Sequence, residues 1–132
     1  MNVLILGSAP DVIRIKEIDL SCFDKIVAIN NAWNVCESWN YCIFPKDFPE
    51  SKRPLVQKDQ LQKLITHSQY VPIQNQFGGF IYAGGTMAFT AGYWALGALQ
   101  PKSISYLGCD MIYDDSQTHF YGIGKADPLR ND

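Results

Sequence analysis

Four short apolar runs, each ending in small, amide or proline residues, constrain this chain more than any other feature of its sequence. Val3–Leu6 runs into Gly7-Ser8-Ala9-Pro10, and Lys25–Ile29 into Asn30-Asn31. Tyr41–Phe44 is closed by Pro45, and Ser103–Leu107 runs into Gly108-Cys109-Asp110. Val3–Leu6 is apolar without alternation, as expected of a strand covered on both faces in a parallel sheet. Between them, Asp11–Ile18 has apolar residues at 12, 13, 15 and 18, which suits a short helix, and Ala32–Glu37 reads as another. Strands alternating with helices predict an α/β domain. It is three-layered and Rossmann-like, a mostly parallel sheet with helices on both faces.

The middle of the chain is less regular. Lys46 to Pro54 is polar and interrupted by proline, hence a surface loop. Val56–His67 reads as a helix with Val56, Leu61, Leu64 and Ile65 on one face. Tyr70–Ile73 reads as a strand at an edge, because Pro72 has no N–H to give a ladder. Gln74–Phe80 is rich in amides and glycine and reads as a loop. Thr86–Leu99 is the strongest helix: Thr86 suits the N-cap, and Pro101 blocks continuation. It is apolar nearly all round, so it is expected to be central and buried. From Met111 to Asp132 no element is evident.

The 132 residues suit a single domain spanning 1–132. With 47% apolar and 18% charged residues, the composition excludes a disordered chain. A net charge of −2, with no basic run longer than Lys52-Arg53, argues against nucleic acid as a partner. The apolar N-terminus is brief and lacks a basic lead, so it reads as a strand and not a signal peptide. No apolar run approaches the roughly 20 residues of a membrane span. A cytoplasmic location is therefore expected. Cysteines 22, 36, 42 and 109 show no Cys-x-x-Cys spacing and no zinc pattern, so free thiols are expected. Cys22 and Cys109 lie beside strands, where small buried thiols are common.

Ligands of open α/β sheets bind outside the carboxyl ends of the strands. Four polar clusters fall there: Gly7-Ser8, Asn30-Asn31, Gly84-Gly85-Thr86 and Cys109-Asp110. Glycine lets backbone approach a ligand, and helix-opening amides attract anions. Asn30 and Asn31 can both donate and accept, which suits a base, a ribose or a phosphate. Nucleotide-binding candidates are therefore Gly7, Ser8, Asn30, Asn31, Gly84, Gly85 and Thr86. Each cluster also has a plain reading as turn or cap chemistry. The dinucleotide fingerprint is absent, since Ala9 and Val12 stand where its later glycines would be, and Asn30 replaces its acidic residue. No Gly-Lys-Ser/Thr occurs, so there is no Walker A loop. Asp110 at a strand end and His119, an imidazole able to act as a base near neutral pH, are the catalytic candidates. His67 is better explained by a helix C-terminus. Asp114-Asp115 lacks the spaced acidic pair of metal-dependent glycosyltransferases.

Taken in order, Ile5-Leu6-Gly7-Ser8-Ala9-Pro10, Ala28-Ile29-Asn30-Asn31, Gly85-Thr86-Met87 and Tyr106-Leu107-Gly108-Cys109-Asp110 resemble the motifs of bacterial sialyltransferases of glycosyltransferase family 42. A related 6-hydroxymethylpterin diphosphokinase-like family is similar at the same places. The resemblance implies a CMP-type donor held by Gly7, Ser8, Asn30, Gly85, Thr86 and Asp110. It also implies inverting, metal-independent transfer with no cofactor. The chain departs from the family pattern in two places. The first turn lacks a second glycine and carries Asp11, and Ile123 stands where the family's paired histidine motif has its second histidine. Family members also continue beyond the point reached at Asp132. His119 is thus a substitute base. Two rival functions follow: a magnesium-dependent pyrophosphate transfer using Asp110 with Asp114, and a non-catalytic nucleotide-binding or assembly module. In the latter, Trp33, Trp39 and Tyr113 would support a homo-oligomer if they lie on the surface.

Overall fold

The computed structural model describes residues 1–77 and 87–109. Among them, β1 (Asn2–Leu6), β2 (Lys25–Ile29), β3 (Tyr41–Ile43), β4 (Leu64–Ile65) and β5 (Ser103–Leu107) form one sheet in the order β4-β3-β2-β1-β5. Every pairing is parallel: Leu4 of β1 lies opposite Ile26 on one side and Ser105 on the other. The chain steps outward from β1 to β4, then returns to add β5 on the other side of β1. This is the Rossmann-like α/β fold that the alternation of runs predicts.

β1 explains why its sequence shows no alternation. Val3 and Ile5 face the layer made by α1 (His67–Gln76) and α2 (Met87–Leu99), packing with Val27, Ile29, Trp94 and Ala95. Leu4 and Leu6 face the other layer, with Ile26, Ala28, Val12 and Ile15. All four β1 residues are 2% exposed or less. Burial of each contributes about 1.5–3 kcal/mol.

The second layer is made of 3-10 helices, not the α-helices expected at Asp11–Ile18 and Ala32–Glu37. They span Pro10–Glu17 and Asn30–Val35. In the first, Val12 and Ile15 are buried three residues apart, the repeat of a 3-10 turn. Ile13, one position off that repeat, is exposed.

Two further expectations are corrected. Val56–His67 is not one helix: a 3-10 segment at Lys58–Lys63 leads into β4, whose Leu64 and Ile65 pair with Cys42 and Ile43. Pairing with β3 outweighs the local helical spacing. Tyr70–Ile73 is not a strand but the middle of α1, which also takes in Gln74–Gln76 of the expected loop. The start of α1 is set by Gln69, whose side chain accepts the Thr66 N–H at 2.7 Å, half of a capping box. Pro72 lies exposed inside this helix.

α2 agrees with its expected span from Met87 onward. It buries Thr90, Ala91, Trp94 and Ala95, but Phe89 and Leu96 are exposed, so it is not covered on all sides. The four cysteines are free. Cys36 and Cys42 are buried and Cys109 is half-buried, whereas Cys22, expected beside them in the interior, is exposed. Among the described residues no helix is long and apolar enough to cross a membrane.

Candidate functional site at the carboxyl edge of the sheet

The strand order reverses between β1 and β5, so the crevice of such a sheet opens at their carboxyl ends. There the two turns are stitched together. The Gly7 N–H donates to the Leu107 carbonyl at 2.8 Å, and the Ala9 N–H donates to the Gly108 carbonyl at 2.8 Å. A Cβ on Gly7 would collide with the Gly108 carbonyl oxygen and lie 2.8 Å from Cys109 Sγ. Gly108 has φ of +75°, and a Cβ there would lie 2.5 Å from Val12 Cβ. Gly7 therefore serves the joint between β1 and β5, and its amide is already engaged. Pro10 has no N–H, and Asp11 adds a carboxylate to the first turn of the following 3-10 helix. These features leave the half-buried Ser8 as the polar group this turn offers a ligand.

At the end of β2, Asn30 has φ of +53°, in the left-handed region that asparagine tolerates better than most residues. Its carbonyl accepts the Cys42 thiol at 3.6 Å. Its side-chain Oδ1 is buried without a hydrogen-bond partner. A buried acceptor left unpaired costs about 1–3 kcal/mol, so each one calls for an explanation. Asn31 is half-buried, and its carbonyl accepts from Asn34 Nδ2 at 3.0 Å.

Beyond β3 the chain folds around one side chain. The Arg53 guanidinium stacks 4.6 Å from the Phe44 ring centroid. Its Nη2 donates to the Phe48 carbonyl at 2.6 Å and to the Lys46 carbonyl at 3.5 Å, and its Nε donates to Phe48 at 3.1 Å. Trp33 of the 3-10 helix that Asn30 opens donates Nε1–H to the Lys52 carbonyl at 3.0 Å. The loop from Pro45 to Arg53 is thereby pinned beside the Asn30 segment. Sequence reasoning missed this clamp, because no spacing pattern ties Arg53 to Phe44 or Trp33 to Lys52.

The structure thus brings Gly7, Ser8, Asn30 and Asn31 to the carboxyl ends of neighbouring strands. Gly84, Gly85, Thr86, Asp110 and His119 lie outside the described residues, as does Asp114. Trp33 and Trp39 are half-buried and pack against the second core, so they do not form an exposed aromatic face. Lys63 Nζ lies 4.3 Å over the Trp39 ring. An open groove of about 500 Å³ runs between the two 3-10 helices, lined by Ile13, Lys16, Asn34, Val35 and Glu37. Among the described residues no group of three His, Cys, Asp or Glu side chains could hold a metal ion. Compared with known proteins, the chain matches no family model, no curated protein and no solved structure.

Proposed function

We propose that the chain binds a nucleotide or nucleotide sugar of the CMP type across the carboxyl ends of β1, β2 and β5, in the manner of a sialyltransferase-like glycosyltransferase. The observation that carries this reading is Asn30. It holds a left-handed backbone and an unsatisfied buried acceptor at a strand end beside the reversal of strand order, where a bound hydroxyl or amino group would satisfy it. The turn after β1 engages two of its amides with the carbonyls of Leu107 and Gly108 and carries Asp11, so it is a poor place for phosphate. In this reading the phosphate sits at the N-terminal end of α2, which Gly84-Gly85-Thr86 directly precede in sequence. Catalysis would fall to His119, a substitute for the family's base, with Asp110, which the resemblance gives as a donor-site residue, at the end of the last strand run.

Calorimetric titration with CMP, CDP, UDP, GDP and ATP, with and without magnesium, tests the reading. The expected result is cytidine-selective binding without metal, weakened about tenfold or more in Asn30→Ala and Thr86→Val, the loss of about one good hydrogen bond. Binding only with magnesium would shift the assignment to pyrophosphate transfer. No binding at millimolar nucleotide overturns it.

A further inference from the structure

Arg53 is half-buried and carries its charge without a counter-charge. Its guanidinium lies against the Phe44 ring, which is 1% exposed, so one face of the cation is taken out of water. Nε and Nη2 donate to the carbonyls of Phe48 and Lys46. A guanidinium also carries two N–H groups on Nη1, and among the described residues these meet no acceptor. Asp47 and Glu50 lie on the same loop, yet the ion pair found among the described residues is that of Arg14 with Glu17. Along the loop Lys46 and Lys52 offset Asp47 and Glu50, which leaves Arg53 as its net charge. A cation withdrawn from water is ordinarily paired with an anion, whereas carbonyl dipoles and a ring face stabilise it without neutralising it. Pinning the loop uses Nε, Nη2 and the stacked face. It leaves Nη1 and the charge uncommitted.

We infer that Arg53 is an anion site on the β3 side of the carboxyl edge, its Nη1 donating to an oxyanion of the bound ligand, a phosphate or a carboxylate. Phe44, on which the guanidinium rests, directly follows β3, and Ile43 pairs with Ile29, the residue before Asn30. Trp33, from the 3-10 helix that Asn30 opens, bonds the Lys52 carbonyl next to Arg53. The guanidinium is therefore held beside the Asn30 segment. It is also fixed in advance, so seating an oxyanion on it costs little further side-chain ordering. For the identity of the ligand the inference rests on the nucleotide reading, and it narrows the substrate class. In that reading one phosphate sits at the N-terminal end of α2, and Arg53 takes a second anionic group on the opposite side of Asn30.

The test follows the side-chain Nε–Hε signals of the arginines by heteronuclear NMR, as the full chain is titrated with inorganic phosphate and separately with acetate at constant ionic strength. The expected result is a saturable shift of the Arg53 signal, with a dissociation constant of about 10 mM or tighter for one of the two ions. Arg14, exposed and paired with Glu17, is the internal control and should not move. The tighter ion identifies the oxyanion as phosphate or carboxylate. CDP, with two phosphates, should bind more tightly than inorganic phosphate and shift the same signal. Arg53→Gln should weaken CDP about tenfold or more and leave cytidine unchanged. Should that variant fold poorly, the titrations of the unaltered chain decide alone. No shift at Arg53 with either ion up to about 50 mM, or an equal shift at Arg14, overturns the inference. CDP binding seen by calorimetry that leaves the Arg53 signal in place also overturns it, while the nucleotide reading stands. A phosphate-induced shift at Arg53 in a chain that binds no nucleotide keeps the anion site and removes the nucleotide reading.

Discussion

Gly7 and Gly108 face each other across the β1–β5 joint with no room for a side chain on either. A Cβ on Gly7 meets the Gly108 carbonyl, and a Cβ on Gly108 lies 2.8 Å from the Gly7 carbonyl oxygen. Gly7→Ala is therefore expected to lower stability by about 2 kcal/mol or more, as overpacking against rigid backbone does. Gly108→Ala adds a left-handed backbone penalty of about 1–2 kcal/mol to its collision with Val12. Urea unfolding checks both. If Gly7→Ala left stability intact but abolished ligand binding, the glycine would serve the ligand and not the joint.

Asn30 allows function and stability to be separated. Glycine at position 30 relieves the left-handed conformation at φ of +53° and removes the buried Oδ1 that has no partner. Asn30→Gly should leave unfolding free energy unchanged or raise it by up to about 1 kcal/mol. The same substitution should weaken nucleotide binding about tenfold or more by removing the acceptor. A substantial loss of stability would instead make Asn30 a structural turn residue.

The legible parts of the fold are those where one local signal had no competitor. β1, β2 and β3 were readable because strands buried on both faces need continuous apolar runs, β5 because its short Ser103–Leu107 segment stands between Pro101 and Gly108, and α2 because thirteen helix-compatible residues stand before Gln100-Pro101. β4 has only two residues, and its pairing with Cys42 and Ile43 leaves no imprint on Leu64-Ile65 that helical spacing would not mimic. The Tyr70-Val71-Pro72-Ile73 run carries β-branched residues and a proline, yet Thr66 and Gln69 already held the signature of a helix start. The Gly7-Ser8 and Asn30-Asn31 clusters at the ends of β1 and β2 were placed by the same logic. That Gly7 is spent on β5 was not visible, because it depends on a contact 101 residues away in sequence, with Gly108.

Arg53 should behave as the pin of the loop that leads from β3. Arg53→Lys keeps a cation over Phe44 but cannot donate from a planar fork to Phe48 and Lys46 together. The expected cost is about 1–2 kcal/mol, as for hydrogen bonds made by a charged donor. Limited trypsin digestion reports on it directly, with faster cleavage after Lys46 and Lys52 in the variant than in the unaltered chain. Equal cleavage rates would show that the loop holds without the guanidinium.

Pro72 is the sixth residue of α1, where it removes a backbone donor to the preceding turn. Its side chain is exposed, so replacing it loses little packing. Pro72→Ala should raise stability by about 1–2 kcal/mol, the interior-proline penalty reduced by the greater freedom of the unfolded chain. A decrease in the thermal midpoint would mean that the proline ring contributes contacts that outweigh the missing hydrogen bond.

The thiols give a pH dependence with a definite sign. Burial pushes the Cys42 thiol from 9.0 up to about 12, and burial also raises Cys36, Tyr70 and Tyr106. An acid whose pKa is higher in the folded than in the unfolded chain binds more protons when folded. Its contribution is therefore fully present below pH 9 and declines as pH rises toward about 12. Cys42 alone removes up to about 1.4 kcal/mol for each pH unit across that window, and the raised tyrosines and Cys36 act in the same direction. Urea midpoints measured from pH 7 upward should stay level to near pH 9 and then fall. At neutral pH the same burial protects the thiol. Iodoacetamide should modify the exposed Cys22 in the native chain and reach Cys42 only on unfolding. Mass mapping that found Cys42 modified as readily as Cys22 would mean that the β3 layer opens far more often than its packing allows.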